Sequence, residues 1–137
     1  IMEPEIILLD EPFGALDEAT REELQEMLLQ LYQENQEALS KNKKPPYTLI
    51  IVTHELNEAI RVGDRLIGLS QYWDWKKSGF DVSPGATVVY DREAPIFKPN
   101  ERPNYESFDI IRKDIRKYVY NPDILQSRND HLVNDLV

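Results

Sequence analysis

Two short aliphatic runs, Ile6-Ile7-Leu8-Leu9 and Leu49-Ile50-Ile51-Val52, constrain this chain more than any other feature. Each is continuous rather than alternating, the pattern of a strand buried on both faces, as in a parallel sheet. Pro12 and Gly14 end the first run, and Asp17 opens a helix on which Leu24, Met27, Leu28 and Leu31 form one apolar stripe. Asp17 and Glu18 sit at the positive end of that helix's dipole, while Lys41, Lys43 and Lys44 lie beyond its far end. Pro45-Pro46 prevents continuation.

The second strand is expected over Tyr47 to Thr53, rich in β-branched residues. A short helix follows from about Glu55 to Val62, with Gly63 as its cap. Further strands are expected at Arg65 to Ser70 and Ala86 to Asp91. The order strand, helix, strand, helix, strand argues for α/β architecture. Between the last two strands, Gln71 to Pro84 carries Trp73, Trp75, Lys76 and Lys77. That segment reads either as an aromatic-basic surface for a partner or as a loop with its own small cluster.

Ala94 to Pro103 holds three prolines and reads as a linker. Beyond it, Phe108, Ile111, Ile115 and Val119 keep to one helical face, with Arg112, Lys113, Arg116 and Lys117 on the outer one. Asn121-Pro122 stops that helix, and a last helix is expected over Ile124 to Leu136. The chain thus divides at residues 1–93 and 94–137, a core segment followed by a linker and helical extension. His131 has no evident partner and receives no role.

The charge balance excludes some functions. With 16 basic and 25 acidic side chains, the net charge is -9, a field that repels phosphate backbones and argues against nucleic acid as a partner. There is no cysteine, hence no disulfide framework and no thiol chemistry. Neither aliphatic run approaches the ~20 residues needed to cross a bilayer, and no signal peptide is visible. A cytoplasmic location is expected, with docking on a membrane protein compatible with it. The sequence enters a strand within a few residues of Ile1, which reads as a cut through a larger domain.

Chemistry concentrates where the strands end. Asp10-Glu11 follows the first aliphatic run, at the carboxyl end of a strand, where open α/β sheets bind ligands. A carboxylate there can hold magnesium through water, because Mg²⁺ is a hard cation that keeps part of its hydration shell. A second carboxylate beside it can orient or deprotonate an attacking water. The plain alternative is a strand that surfaces with two solvated acids. His54 ends the second run, so parallel packing would bring it to the same edge as Asp10 and Glu11. Asp17 is a helix N-cap by its position.

The stretch Ile6 to Asp17, IILLDEPFGALD, resembles the Walker B motif and D-loop of ATP-binding-cassette ATPases. The stretch Val52 to Ser70, VTHELNEAIRVGDRLIGLS, resembles the switch region of the same family. The two motifs stand in the family's order. The resemblance implies that Asp10 assists Mg²⁺, Glu11 is the catalytic carboxylate that polarises water, and His54 contacts the terminal phosphate of ATP. Imidazole suits that contact because it can donate to a phosphate oxygen. It also implies that Asp17 lies at the interface between two ATPase subunits, alongside its capping role. Glu58, Ala59, Asp64 and Arg65 match the pattern and are read as structural, a helix and its cap. Phe13 resembles importers of the family, and more weakly the hairpin-like PGATVVYDRE from Pro84 to Glu93 resembles importers of nitrate, sulfonate or taurine type.

The implied fold is a partial P-loop NTPase core with mostly parallel strands, a C-terminal β-hairpin and a helical tail. The implied function is coupling of ATP hydrolysis to solute import, with transmembrane permease subunits and a second ATPase subunit, in a homodimer, as partners. The subunit would lie peripherally on the cytoplasmic face of the membrane. No glycine-rich loop ending in Lys-Ser or Lys-Thr is present: Gly63 and Gly68 have the first spacing, but Leu69-Ser70 follows. Without that phosphate cradle and its lysine, the isolated 137 residues are expected not to turn over ATP. The unpartnered sheet is expected to self-associate or rearrange. Two other readings stay open: a non-catalytic binding or regulatory module derived from such an ATPase, and a non-transport ATPase of the same type.

Overall fold

The computed structural model describes residues 5–127 as a mixed α/β chain in two compact units. The first unit takes in the chain up to Gly63 together with Pro95–Asn104. Its two strands, β1 (Ile6–Asp10) and β2 (Thr48–Val52), pair in parallel with Ile6 opposite Thr48 and Asp10 opposite Val52. They are joined by α1 (Glu18–Ser40), and α2 (Leu56–Val62) follows β2. Parallel strands need such a crossover because a tight turn can only reverse the chain.

The core of this unit is Phe13, Leu28, Leu29 and Ile60, each buried. Burial of side chains this size contributes about 1.5–3 kcal/mol apiece. The helix stripe therefore runs through Leu28 and Leu29, whereas Met27, expected on the buried side, is 48% exposed. The strands also differ from expectation. Ile6, Leu8, Ile50 and Val52 are 61%, 70%, 46% and 55% exposed, so the runs read as buried on both faces are covered on one face only. The pleat sends alternate residues to opposite faces, and only the face of Ile7, Leu9, Leu49 and Ile51 is packed among the described residues.

Side chains tie the ends of these elements down. The Asn35 amide accepts from the Tyr47 N–H (3.0 Å) and donates to the Tyr47 carbonyl (2.8 Å), fixing the chain just before β2. The α2 cap is Gly63, whose N–H donates to the Ala59 carbonyl, in extended backbone rather than the left-handed region. Arg61 is buried; its Nη2 donates to Glu26 Oε1 (3.0 Å) and to the Glu101 carbonyl (2.6 Å), and its guanidinium lies over the Phe97 ring. Asn100 N–H donates to the other Glu26 oxygen. The proline-bearing segment Pro95–Asn104 is thereby strapped to α1 and α2.

The second unit comprises Asp64–Ala94 and the chain from Tyr105 onward. Strands β3 (Arg65–Ser70) and β4 (Thr87–Glu93) pair antiparallel, with a bulge that leaves Val89 outside the register. The hairpin is thus formed by these two strands across a long connection, and residues 87–93 form a single strand within it. A 3-10 turn at Tyr105–Phe108 leads into α3 (Asp109–Tyr118). Phe108, Ile115 and Val119 are buried, as their shared face predicts, while Lys113, Arg116 and Lys117 are exposed. Arg112 is half-buried and pairs with Asp109.

Gly68 lets α3 approach the hairpin. A Cβ there would meet Val119 Cγ2 at 2.5 Å and Tyr90 Cβ at 3.0 Å. Ser70 Oγ donates to the Val119 carbonyl at 2.6 Å, closing the same contact. Trp73 is buried, donates through Nε1 to the Gly85 carbonyl and meets the Phe80 ring edge-on. Of the two readings of the Trp73–Trp75 loop, the internal cluster accounts for Trp73. Residues 124–127 are not helical; the rest of the helix expected to Leu136, and His131, lie outside the described residues.

Candidate functional site

The parallel pairing of β1 and β2 brings both carboxyl ends to one edge. Asp10 stands opposite Val52, and the Glu11 N–H extends the ladder by donating to the Val52 carbonyl at 2.8 Å. Glu11 then turns the chain with φ 46, in the left-handed region that a residue with a Cβ avoids, at a cost of order 1–3 kcal/mol. The turn closes through Gly14 N–H on the Glu11 carbonyl (3.3 Å) and is anchored by Phe13, which is fully buried. Strain held at this one residue aims the Glu11 side chain at the end of β2.

There it meets His54. Nδ1 of His54 lies 2.8 Å from Glu11 Oε1, and Nε2 is 3.8 Å from Glu55 Oε1. The hydrogen bond to Glu11, and next its charge, raise the His54 pKa above 6.5. This has a chemical consequence. With Nδ1–H committed to the carboxylate, a neutral imidazole offers only an acceptor at Nε2. Protonation gives Nε2 a hydrogen as well, and the raised pKa favours that form. The pair can then donate to an anion while keeping a carboxylate beside it. Both side chains are accessible, at 72% for His54 and 41% for Glu11, so a ligand can reach them.

Asp10 is exposed at the end of β1. No group of three or more His, Asp or Glu residues is arranged to hold a metal among the described residues. A single carboxylate does not form a protein cage, but it fits Mg²⁺, which binds through one or two carboxylates, water and substrate phosphates. Asp17 caps α1: its Oδ1 accepts from Thr20 N–H (3.1 Å) and its Oδ2 from Thr20 Oγ1 (2.7 Å), which hold its pKa below 3.8. The fold therefore joins Glu11 and His54 directly, places Asp10 at the same edge, and uses Asp17 to start the helix behind them.

One neighbour of this edge matches the family pattern and was read as structural. Glu58 is buried on α2; its Oε2 accepts from Thr53 Oγ1 at 3.3 Å and its Oε1 lies 3.4 Å from Arg21 Nε. Burial is the main cause that raises its pKa, opposed by Arg21 and by the Thr53 hydrogen bond. An acid on the same short helix as the apolar Ile60 was the available signal, but its partner, Arg21, is distant in sequence.

Comparison with known proteins finds relatives over most of the chain. The nitrate import ATP-binding protein NrtD of Synechococcus elongatus is 36% identical over 99 residues, 72% of this chain and 28% of the relative. The bicarbonate transport ATP-binding protein CmpD of Synechocystis sp. is 32% identical over 131 residues, 93% of this chain and 37% of the relative. The aliphatic sulfonates import ATP-binding protein SsuB of Bacillus cereus is 36% identical over 116 residues, 84% of this chain and 37% of the relative. The chain thus spans 28% to 37% of the length of these relatives. No family model matches it.

Proposed function

We propose that this segment, homologous over most of its length to ATP-binding subunits of ATP-binding-cassette importers, is the C-terminal portion of such a subunit. The whole subunit would couple ATP hydrolysis to import of a solute. The named relatives serve nitrate, bicarbonate and aliphatic sulfonates, so a small anion is the substrate class that fits the resemblance. The observation that carries the reading is the Glu11–His54 hydrogen bond, formed where two parallel strands end together.

In this reading the exposed apolar face of Ile6, Leu8, Ile50 and Val52 is covered by the remainder of a mostly parallel P-loop NTPase core. Residues 1–93 belong to the ATPase domain, and 94–137 form its linker and helical extension. When bound, ATP with Mg²⁺ supplies the phosphoryl group to be cleaved and neutralises charge on its oxygens. Asp10 holds the metal through water. Glu11 orients and polarises the attacking water, and the strained turn beneath it fixes its direction. In its protonated form His54 would donate Nε2–H to the terminal phosphate. Asp17 meets a second ATPase subunit, and permease subunits hold the pair at the cytoplasmic face of a membrane. No helix among the described residues is long and apolar enough to cross one.

The test is ATP hydrolysis by the full-length subunit. Glu11→Gln is expected to bind ATP and to lose about 10²–10⁴-fold in kcat, the usual contribution of a positioned acid-base group. His54→Ala is expected to lower kcat as well. A Glu11→Gln enzyme that hydrolyses ATP at the parent rate would remove the assignment.

A further inference from the structure

The buried carboxylate of Glu58 lies between the two loops that carry the site. On one side it accepts from Thr53 Oγ1, and that hydroxyl in turn accepts from the Glu55 N–H at 3.1 Å. These two bonds bracket His54. On the other side Glu58 faces Arg21 Nε at 3.4 Å, an ion pair without hydrogen-bond geometry, since Nε has no hydrogen-bond partner. Arg21 Nη2 donates to the Leu16 carbonyl at 3.2 Å, immediately before Asp17. One continuous polar chain therefore runs from Leu16 through Arg21, Glu58 and Thr53 to Glu55.

We propose that Glu58 is a positioning residue, which holds the histidine-bearing end of β2 and the loop before α1 in one register. The proposal rests on the ATPase reading above. Burying a loosely paired charge is costly, and apolar side chains of similar volume often serve stability as well or better. What an apolar pair cannot do is fix Thr53 and Leu16 by hydrogen bonds. A salt bridge kept in the 8%-exposed position of Glu58 thus has a geometric use that its contribution to stability does not supply. Movement of the loop on one side is transmitted to His54 on the other through this chain.

The experiment uses the full-length subunit, with the parent, Glu58→Gln, the double variant Arg21→Met with Glu58→Met, and Glu11→Gln. Each is measured for kcat, KM for ATP and thermal midpoint, and the Glu55 amide for hydrogen exchange. The double variant is expected to match the parent in thermal midpoint and KM while kcat falls on the order of 10- to 100-fold, the effect of a small misplacement of reacting groups. Protection at Glu55 is expected to fall with it. Activity that simply follows thermal midpoint across the parent and the two Glu58 variants would overturn the proposal. Should Glu11→Gln leave hydrolysis unchanged, the assignment of Glu11 fails separately, and exchange decides: lost protection at Glu55 upholds the linkage and unchanged protection overturns it.

Discussion

His54 Nδ1 lies 2.8 Å from Glu11 Oε1, across 43 positions of sequence, because two parallel strands end at the same level. The contact needs both the register of those strands and the left-handed turn at Glu11. It holds an accessible imidazole against a carboxylate, which raises the His54 pKa.

The pair sets a pH dependence whose sign is fixed. Glu11 raises the folded-state pKa of His54 above 6.5, so its stabilisation is complete below that value and is lost as pH rises through the folded pKa. NMR titration of the His54 imidazole is expected to give a midpoint above 6.5, and Glu11→Gln is expected to return it toward 6.5. A midpoint insensitive to that substitution would disprove the pairing. Salt is expected to weaken the effect, since both groups are accessible.

Gly68→Ala is expected to destabilise the second unit. Its new methyl would meet both Val119 and Tyr90, so α3 or the hairpin must move. Overpacking of this kind costs about 1–3 kcal/mol. Chemical denaturation measures it, and truncation of Val119 to Ala in the same chain is expected to recover part of the loss. Equal stability of Gly68→Ala and parent would mean that the close approach is absent in solution.

Asn35→Leu removes two hydrogen bonds at once and leaves the Tyr47 N–H and carbonyl without that partner. Each unsatisfied buried backbone group costs about 1–3 kcal/mol, less where water can enter. Amide exchange at Tyr47 is expected to accelerate before exchange in the β1–β2 ladder does. Retained protection at Tyr47 would contradict the clamp.

The 137 residues expressed alone are expected to self-associate and to show no ATP turnover. Ile6, Leu8, Ile50 and Val52 form an exposed apolar face on a sheet that is two-stranded among the described residues. Light scattering is expected to show mass rising with concentration, and Leu8→Lys to suppress the rise. A concentration-independent monomer would show that the face is covered by some rearrangement.

Much of this was legible in the chain. The Arg65–Ser70 strand, the Asp17 cap and the buried face of Phe108, Ile115 and Val119 followed from residue type and period. So did the shared edge of Asp10, Glu11 and His54, because parallel packing brings the carboxyl ends of two strands together; the Glu11–His54 hydrogen bond itself depends on register and on the turn at Glu11. Met27 was misplaced because Leu28 and Leu29 both point inward, and a wide apolar stripe does not mark its own centre. The aliphatic runs were read as doubly buried because hydrophobicity states what a face requires and not what covers it.

Local rules thus determined the elements, the caps and the chemistry available at the strand ends, since these depend on neighbours a few residues away. Tertiary structure alone decided that Glu58 meets Arg21, that Arg61 straps Pro95–Asn104 to two helices, and that Gly68 admits Val119. Each joins residues far apart in the chain, and nothing in periodicity or propensity encodes which distant side chain fills a given space.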